Sequence, residues 1–198
     1  MTDMANEIGK KESNLAIVEF KSIARGIYTT DAMLKAAEVN LILATSLCPG
    51  KYLTIVEGET SAVESSLKIA DEIGGRHVFS SEAVNAISFK VINAINGRLQ
   101  SSAGGAIAII ESMQMAHLIG SADEVVDAVD IEFVDFRLSR GCGVNGFYIF
   151  SGELSSVNEG AKAASQYLLN KGALLAFRVI SGPDIEVWRW IKTSLCRC

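Results

Sequence analysis

The chain states one pattern twice, with a cysteine at the matching point of each statement. Ala16, Ile17, Glu19, Ala24, Asp31 and Ala36 reappear 92 positions later as Ala108, Ile109, Glu111, Ala116, Asp123 and Ala128. After a two-residue insertion the offset becomes 94, and Cys48, Gly58, Glu59, Ser61, Val63 and Lys68 return as Cys142, Gly152, Glu153, Ser155, Val157 and Lys162. A tandem duplication confines the fold to two copies of one unit in a pseudo-symmetric arrangement. With 198 residues shared between them, each unit is small enough that burial against a neighbour helps complete its core.

Hydrophobic residues make up 49% of the chain and charged residues only 21%, and the mean hydropathy is +0.28. No apolar run approaches the roughly 20 residues of a membrane helix, so the excess points to protein–protein surface and away from a membrane. The net charge of −5 comes without a Lys/Arg block, which excludes the electrostatic footprint of nucleic-acid binding. Residues 1–14 read as a loose polar arm and not as a signal peptide. The expectation is a cytoplasmic protein. Four cysteines in a chain this rich in apolar residues read as reduced thiols or metal ligands, not as a disulfide scaffold.

Periodicity predicts a strand over Leu15–Phe20, a helix over Ala24–Glu38 and a hairpin of Val39–Leu47 with Tyr52–Glu57. A second helix over Ser61–Ile73 closes at Gly74-Gly75. Arg76–Phe79 reads as a last strand and Ser81–Ile95 as a further helix. The order restarts at Ala106, after a flexible joint over 97–105. It continues through a helix over Met115–Ala128, strands near Ile131–Leu138 and Phe147–Phe150, and a helix over Leu154–Leu169. Residues 173–180 and 184–190 complete the second copy. The fold class is therefore α+β: two tandem units over 15–96 and 106–192, each a small, mostly antiparallel sheet flanked by helices. Residues 193–198 form a tail.

Gly141-Cys142-Gly143-Val144-Asn145-Gly146 matches a dinucleotide fingerprint letter for letter, but a strand follows it where the fingerprint needs a helix. It reads as a glycine-rich hairpin loop. In Cys48-Pro49-Gly50, Pro and Gly occupy the second and third positions of a turn, favouring type II and turning the thiol outward; the alternative is a small thiol tucked beneath the hairpin. Cys196 and Cys198 lie on the tail. His77 and His117 form no recognisable catalytic arrangement, and the pairs Asp71/Glu72 and Asp123/Glu124 read as solvated helix faces. Nothing reads as an enzyme site.

Ala16-Ile17-Val18-Glu19, the run Thr30 to Val39, the Gly-containing hairpin loop, and Val56-Glu57-Gly58-Glu59 with Ala62-Val63 together resemble the bacterial microcompartment shell-protein domain. The second copy keeps Glu111, Asp123, Gly152 and Val157. Two such domains per chain resemble the tandem class, which implies a homotrimer imitating a hexamer, tiled with other shell proteins in the microcompartment shell. Leu47-Cys48-Pro49-Gly50-Lys51 resembles the pore loop of the iron-sulfur-carrying trimers of propanediol-utilisation compartments. That likeness implies one [4Fe-4S] cluster per trimer on the threefold axis. Cys48 would be the metal and cofactor ligand, the pore would be lined by Pro49, Gly50, Lys51, Cys142 and Gly143, and an encapsulated or cytosolic redox protein would be the electron partner. Lys35 fits the lysine that such domains place at tile edges.

Two alternatives stand beside this reading. The pore could conduct metabolites, with Cys48 and Cys142 free or redox-active. A duplicated unit could also bind a small ligand between its copies, though that leaves the Cys-Pro-Gly turn and the apolar excess without a purpose.

Overall fold

The computed structural model describes residues 13–99, 104–139 and 143–193. The first copy consists of β1 (Ser13–Phe20), α1 (Ile23–Ala36), β2 (Val39–Leu47), β3 (Lys51–Gly58), α2 (Thr60–Gly74), β4 (Val78–Ile87) and α3 (Phe89–Ile95). The second repeats it as β5 (Ala106–Ser112), α4 (Met115–Ala128), β6 (Glu132–Arg137), β7 (Gly146–Gly152), α5 (Leu154–Asn170), β8 (Leu174–Ile180) and α6 (Ile185–Thr193). The sheets have matching strand orders, β2-β3-β1-β4 and β6-β7-β5-β8, and all their pairs are antiparallel. This is the α+β architecture that the repeat and its hairpins predict.

The apolar run of β1 is continuous because the strand is covered on both faces. Ala16, Val18 and Phe20 enter one cluster with Met33, Val63 and Ala70 from α1 and α2. Leu15 and Ile17 point the other way, into a larger core that also holds Leu53, Ile55 and Val91. That core does not stop at the copy boundary: it continues through Met115, Leu118, Phe133, Phe136 and Tyr148 of the second copy. The Phe136 and Tyr148 rings stack there at 5.3 Å. Each small unit thus completes its interior with the other, as its size requires.

One expected element differs. Residues 81–87 do not begin a helix but continue β4, and only Phe89–Ile95 is helical. Residues 75–77 form a single 3-10 turn before the strand. The free edge of β1 offers ladder partners along its whole length, and Val84 and Ile87 become buried on pairing. Pairing and burial together outweigh local preference. One residue before the end of the strand, Ala86 has a φ of +54°, and its N–H donates to Asn14 Oδ1 at 3.0 Å. Ser88 then caps α3, accepting from the Lys90 N–H.

Candidate functional site

Two hairpin loops, one per copy, meet beside the joint between the copies. The Cys48 N–H donates to the Ser139 carbonyl at 2.7 Å. The Ser139 hydroxyl in turn reaches the carbonyls of Cys48 at 3.1 Å and Gly143 at 3.0 Å. Ser139 itself is buried, so the first-copy turn is anchored by a residue of the second. The Cys48–Pro49 peptide is cis, and Gly50 has a φ of +80°, a conformation that favours glycine. Cys48 carries a free, half-buried thiol. Pro49, Gly50 and Gly143 are exposed, and Cys142 lies outside the described residues, as do Cys196 and Cys198.

Lys51 leaves the loop tip and turns inward. Its ammonium is 2.6 Å from Glu19 Oε1 and donates to the Met113 carbonyl at 2.9 Å, while lying 4.5 Å from the centre of the Phe79 ring. Glu19 has no exposed surface, and its second oxygen accepts from the Ser80 hydroxyl at 3.1 Å and the Met115 N–H at 2.7 Å. Met115 is the first residue of α4, and the residue before it, Gln114, provides no side-chain cap. A carboxylate from the first copy therefore caps the first helix of the second, where the backbone N–H groups and helix dipole favour negative charge. Because the buried charge is paired and every oxygen is used, the desolvation cost is offset.

A second polar cluster joins α4 to β4. Glu82 lies 2.6 Å from His117 Nδ1 and accepts from the Lys171 ammonium at 3.0 Å. Burial pushes the Glu82 carboxyl up, but the hydrogen bonds and charges of His117 and Lys171 outweigh it, and the net shift is below the ordinary range. The carboxylate stays ionised, and the stability it contributes is lost as pH falls through its lowered value.

Asp123, expected on a solvated face, is buried instead. It accepts from the Ser88 N–H at 2.8 Å, and burial, with smaller contributions from Asp127 and Glu124, raises its carboxyl to about 6 against that hydrogen bond. The helical period does place Asp123 on one side of α4; the first copy's packing makes that side an interior. Asp71, Glu72 and Glu124 are exposed as expected. Lys35 is exposed on α1 and pairs with Asp31 at 2.6 Å.

Among the described residues no three His, Cys, Asp or Glu side chains gather as a metal site. One described chain thus brings one thiol, Cys48, to the loop tip. The residues that sequence reasoning missed are the joint itself: Glu19, Ser80, Glu82, His117 and Lys171. A signal for the first of these was present, since a glutamate closes an apolar strand in both copies, Ala16-Ile17-Val18-Glu19 and Ala108-Ile109-Ile110-Glu111.

The paired sheets and fused core define a building block of two tandem domains. The BMC domain matches residues 14–93 and again residues 106–183. The bacterial microcompartment shell protein PduT of Citrobacter freundii is 32% identical over 175 residues, spanning 88% of this chain and 95% of that protein. A microcompartments protein from Desulfitobacterium hafniense, also 32% identical, superposes with a TM-score of 0.77 over 89% of this chain and 98% of its own. A fused permuted hexameric shell protein from the RMM microcompartment shares the fold, at 24% identity, a TM-score of 0.60, and coverage of 80% and 82%. The chain belongs to the bacterial microcompartment shell-protein family, with two BMC domains in tandem. It is a structural component of a microcompartment shell and not an enzyme.

Proposed function

We propose that three copies of this chain close head to tail into a pseudohexameric tile, with the Cys48 loops around the central opening. The observation that carries this reading is the direction of the intrachain joint. The first copy receives α4 of the second through Glu19 of β1 and Glu82 of β4, while the matching β8 edge and the matching face of α1 remain uncovered. A joint of this heterologous kind, repeated between chains, gives a ring when its rotation closes. Such tiles would pack beside other shell proteins, with Lys35 at their edges.

In the same reading, three Cys48 thiolates converge on the axis and ligate an iron-sulfur cluster, supplying a one-electron carrier for transfer across the shell to an encapsulated or cytosolic redox protein. The donor set suits this role: the thiol is free and half-buried, and it sits on a turn fixed from beneath by Ser139. Among the described residues one chain offers a single thiol, and three copies would supply three. Pro49, Gly50 and Gly143 form the exposed part of the rim. Lys51 is committed to Glu19 and contributes backbone only.

Native mass spectrometry of anaerobically purified protein, with iron and sulfide assay and electron paramagnetic resonance, tests both parts. The expected result is a trimer whose iron disappears in Cys48→Ser without loss of the trimer. An iron-free trimer from cells competent in cluster assembly overturns the cluster and leaves a metabolite-conducting pore.

A further inference from the structure

The joint inside the chain is a template with one unfilled copy. Glu111 stands in β5 where Glu19 stands in β1, paired with Phe147 and Ala176 as Glu19 is with Leu53 and Ser80. Its local partners, however, are gone. Asn145 occupies the place of Lys51 and Ala176 that of Ser80, and the carboxylate of half-buried Glu111 makes no hydrogen bond or ion pair among the described residues. Of the groups that satisfy Glu19, the only kind still to be supplied is the amino-terminal backbone of a helix.

The matching helix is α1, and its matching face is bare. Ile23 is 39%, Ile27 53% and Tyr28 61% exposed. Their counterparts on α4, namely Met115, Ile119 and Gly120, are buried in the joint. Ser22 caps α1 through the Arg25 N–H, which leaves the Ile23 N–H, the counterpart of Met115 N–H, for another acceptor.

The two sides also match in detail. Arg178 pairs with Ile109 as Glu82 pairs with Ile17, so an exposed guanidinium replaces the carboxylate that holds His117 and Lys171. On the α4 side, a Cβ added to Gly120 would lie 3.4 Å from Glu82. Tyr28 is the residue equivalent to Gly120; its ring lies 5.8 Å from the guanidinium of its own Arg25, and an aromatic face over a guanidinium is a favourable contact.

We propose that Glu111 accepts from the Ile23 N–H of a second copy of this chain, with Ile27 and Tyr28 of that copy laid over β8 and Arg178. The joint between chains then has the geometry of the internal one but different chemistry. A buried ion-pair cluster is replaced by an apolar stripe, a cation–π contact and one carboxylate at a helix start. This inference rests on the head-to-tail ring and specifies the residues that make it.

The test is the mass of the full-length chain across a dilution series, by native mass spectrometry and light scattering, for wild type, Ile27→Glu, Tyr28→Ala and Glu111→Ala. All three positions are at least partly exposed in the single chain, and circular dichroism checks that each variant is folded. Ile27→Glu is expected to be monomeric where wild type is trimeric. Tyr28→Ala and Glu111→Ala are each expected to raise the dissociation midpoint roughly tenfold, the loss of a contact with a charged group. A trimeric wild type with all three variants unchanged overturns this seat and keeps the ring, as does loss of assembly in Ile27→Glu without any effect of Glu111→Ala. A wild type that is monomeric throughout overturns the ring as well.

Discussion

Helices α1 and α4 descend from the same segment and occupy the same place in their domains, yet one has a bare face and the other is enclosed. Asp31 pairs with Lys35 in solvent, whereas its counterpart Asp123 is buried and bound to the Ser88 N–H. Tyr28 is exposed, whereas Tyr167 and Glu82 crowd the place where Gly120 would carry a Cβ. The difference lies in the neighbour and not in the fold of either copy: α4 has the first domain beside it, and within the chain the exposed face of α1 has no such neighbour. In a duplicated protein, residues at equivalent positions diverge according to which joint they serve.

The contrast is easiest to break at its most buried point. Glu19→Ala strands the Lys51 ammonium, the Ser80 hydroxyl and the Met115 N–H together, and should cost about 3–5 kcal/mol in urea unfolding. Glu111→Ala, measured on the dissociated chain, should cost no more than about 0.5 kcal/mol. Equal losses would mean that the two glutamates are not differently committed.

Exchanging the helix residues comes next. Gly120→Tyr, which gives α4 the α1 residue, should destabilise by about 1–3 kcal/mol through overpacking against Tyr167 and Glu82. Tyr28→Gly in the dissociated chain should lose only the few tenths of helix propensity that separate the two residues.

Asp123→Asn should act in the opposite direction and with a pH signature. The folded carboxyl titrates at about 6 against 3.8, so across that window the folded chain retains a proton the unfolded chain has released, and stability falls as pH rises. It remains lowered above the window. Asparagine keeps an acceptor for the Ser88 N–H without the charge. Thermal unfolding should therefore show the variant gaining on wild type, by about 1–3 kcal/mol, between acid and neutral pH. A constant difference across the range would assign the cost to something other than ionisation.

Smallest of all, Lys35→Ala should change unfolding by no more than about 0.5 kcal/mol, because its ion pair is exposed. Any larger consequence should appear only in sheet formation, visible by electron microscopy.

Much of the domain was legible because the repeat checks itself: where Ala-Ile-Val-Glu and Ala-Ile-Ile-Glu recur, one strand assignment supports the other. Family membership followed from the same residues. The boundary of β4 was not legible, since Ser81 to Ile87 lacks a strand-like sequence signal and takes its conformation from the edge of β1. The joint was also hidden, because nothing local separates Asp123 from Asp31 or Lys51 from a loop lysine. Their fates depend on contacts across 35 and 32 residues with Ser88 and Glu19. The Glu19/Glu111 pair was visible as a repeat, but its function required seeing a helix begin at Met115.

The clamp at Glu19 also bears on how a shell is built. Since it fastens the copies at Met113 and Met115 as well as through the covalent link, each chain would enter the proposed ring with one in two of its joints already closed. Closing the proposed ring is then a third-order encounter in place of a sixth-order one. The tile should persist at concentrations where a ring of six separate domains would fall apart.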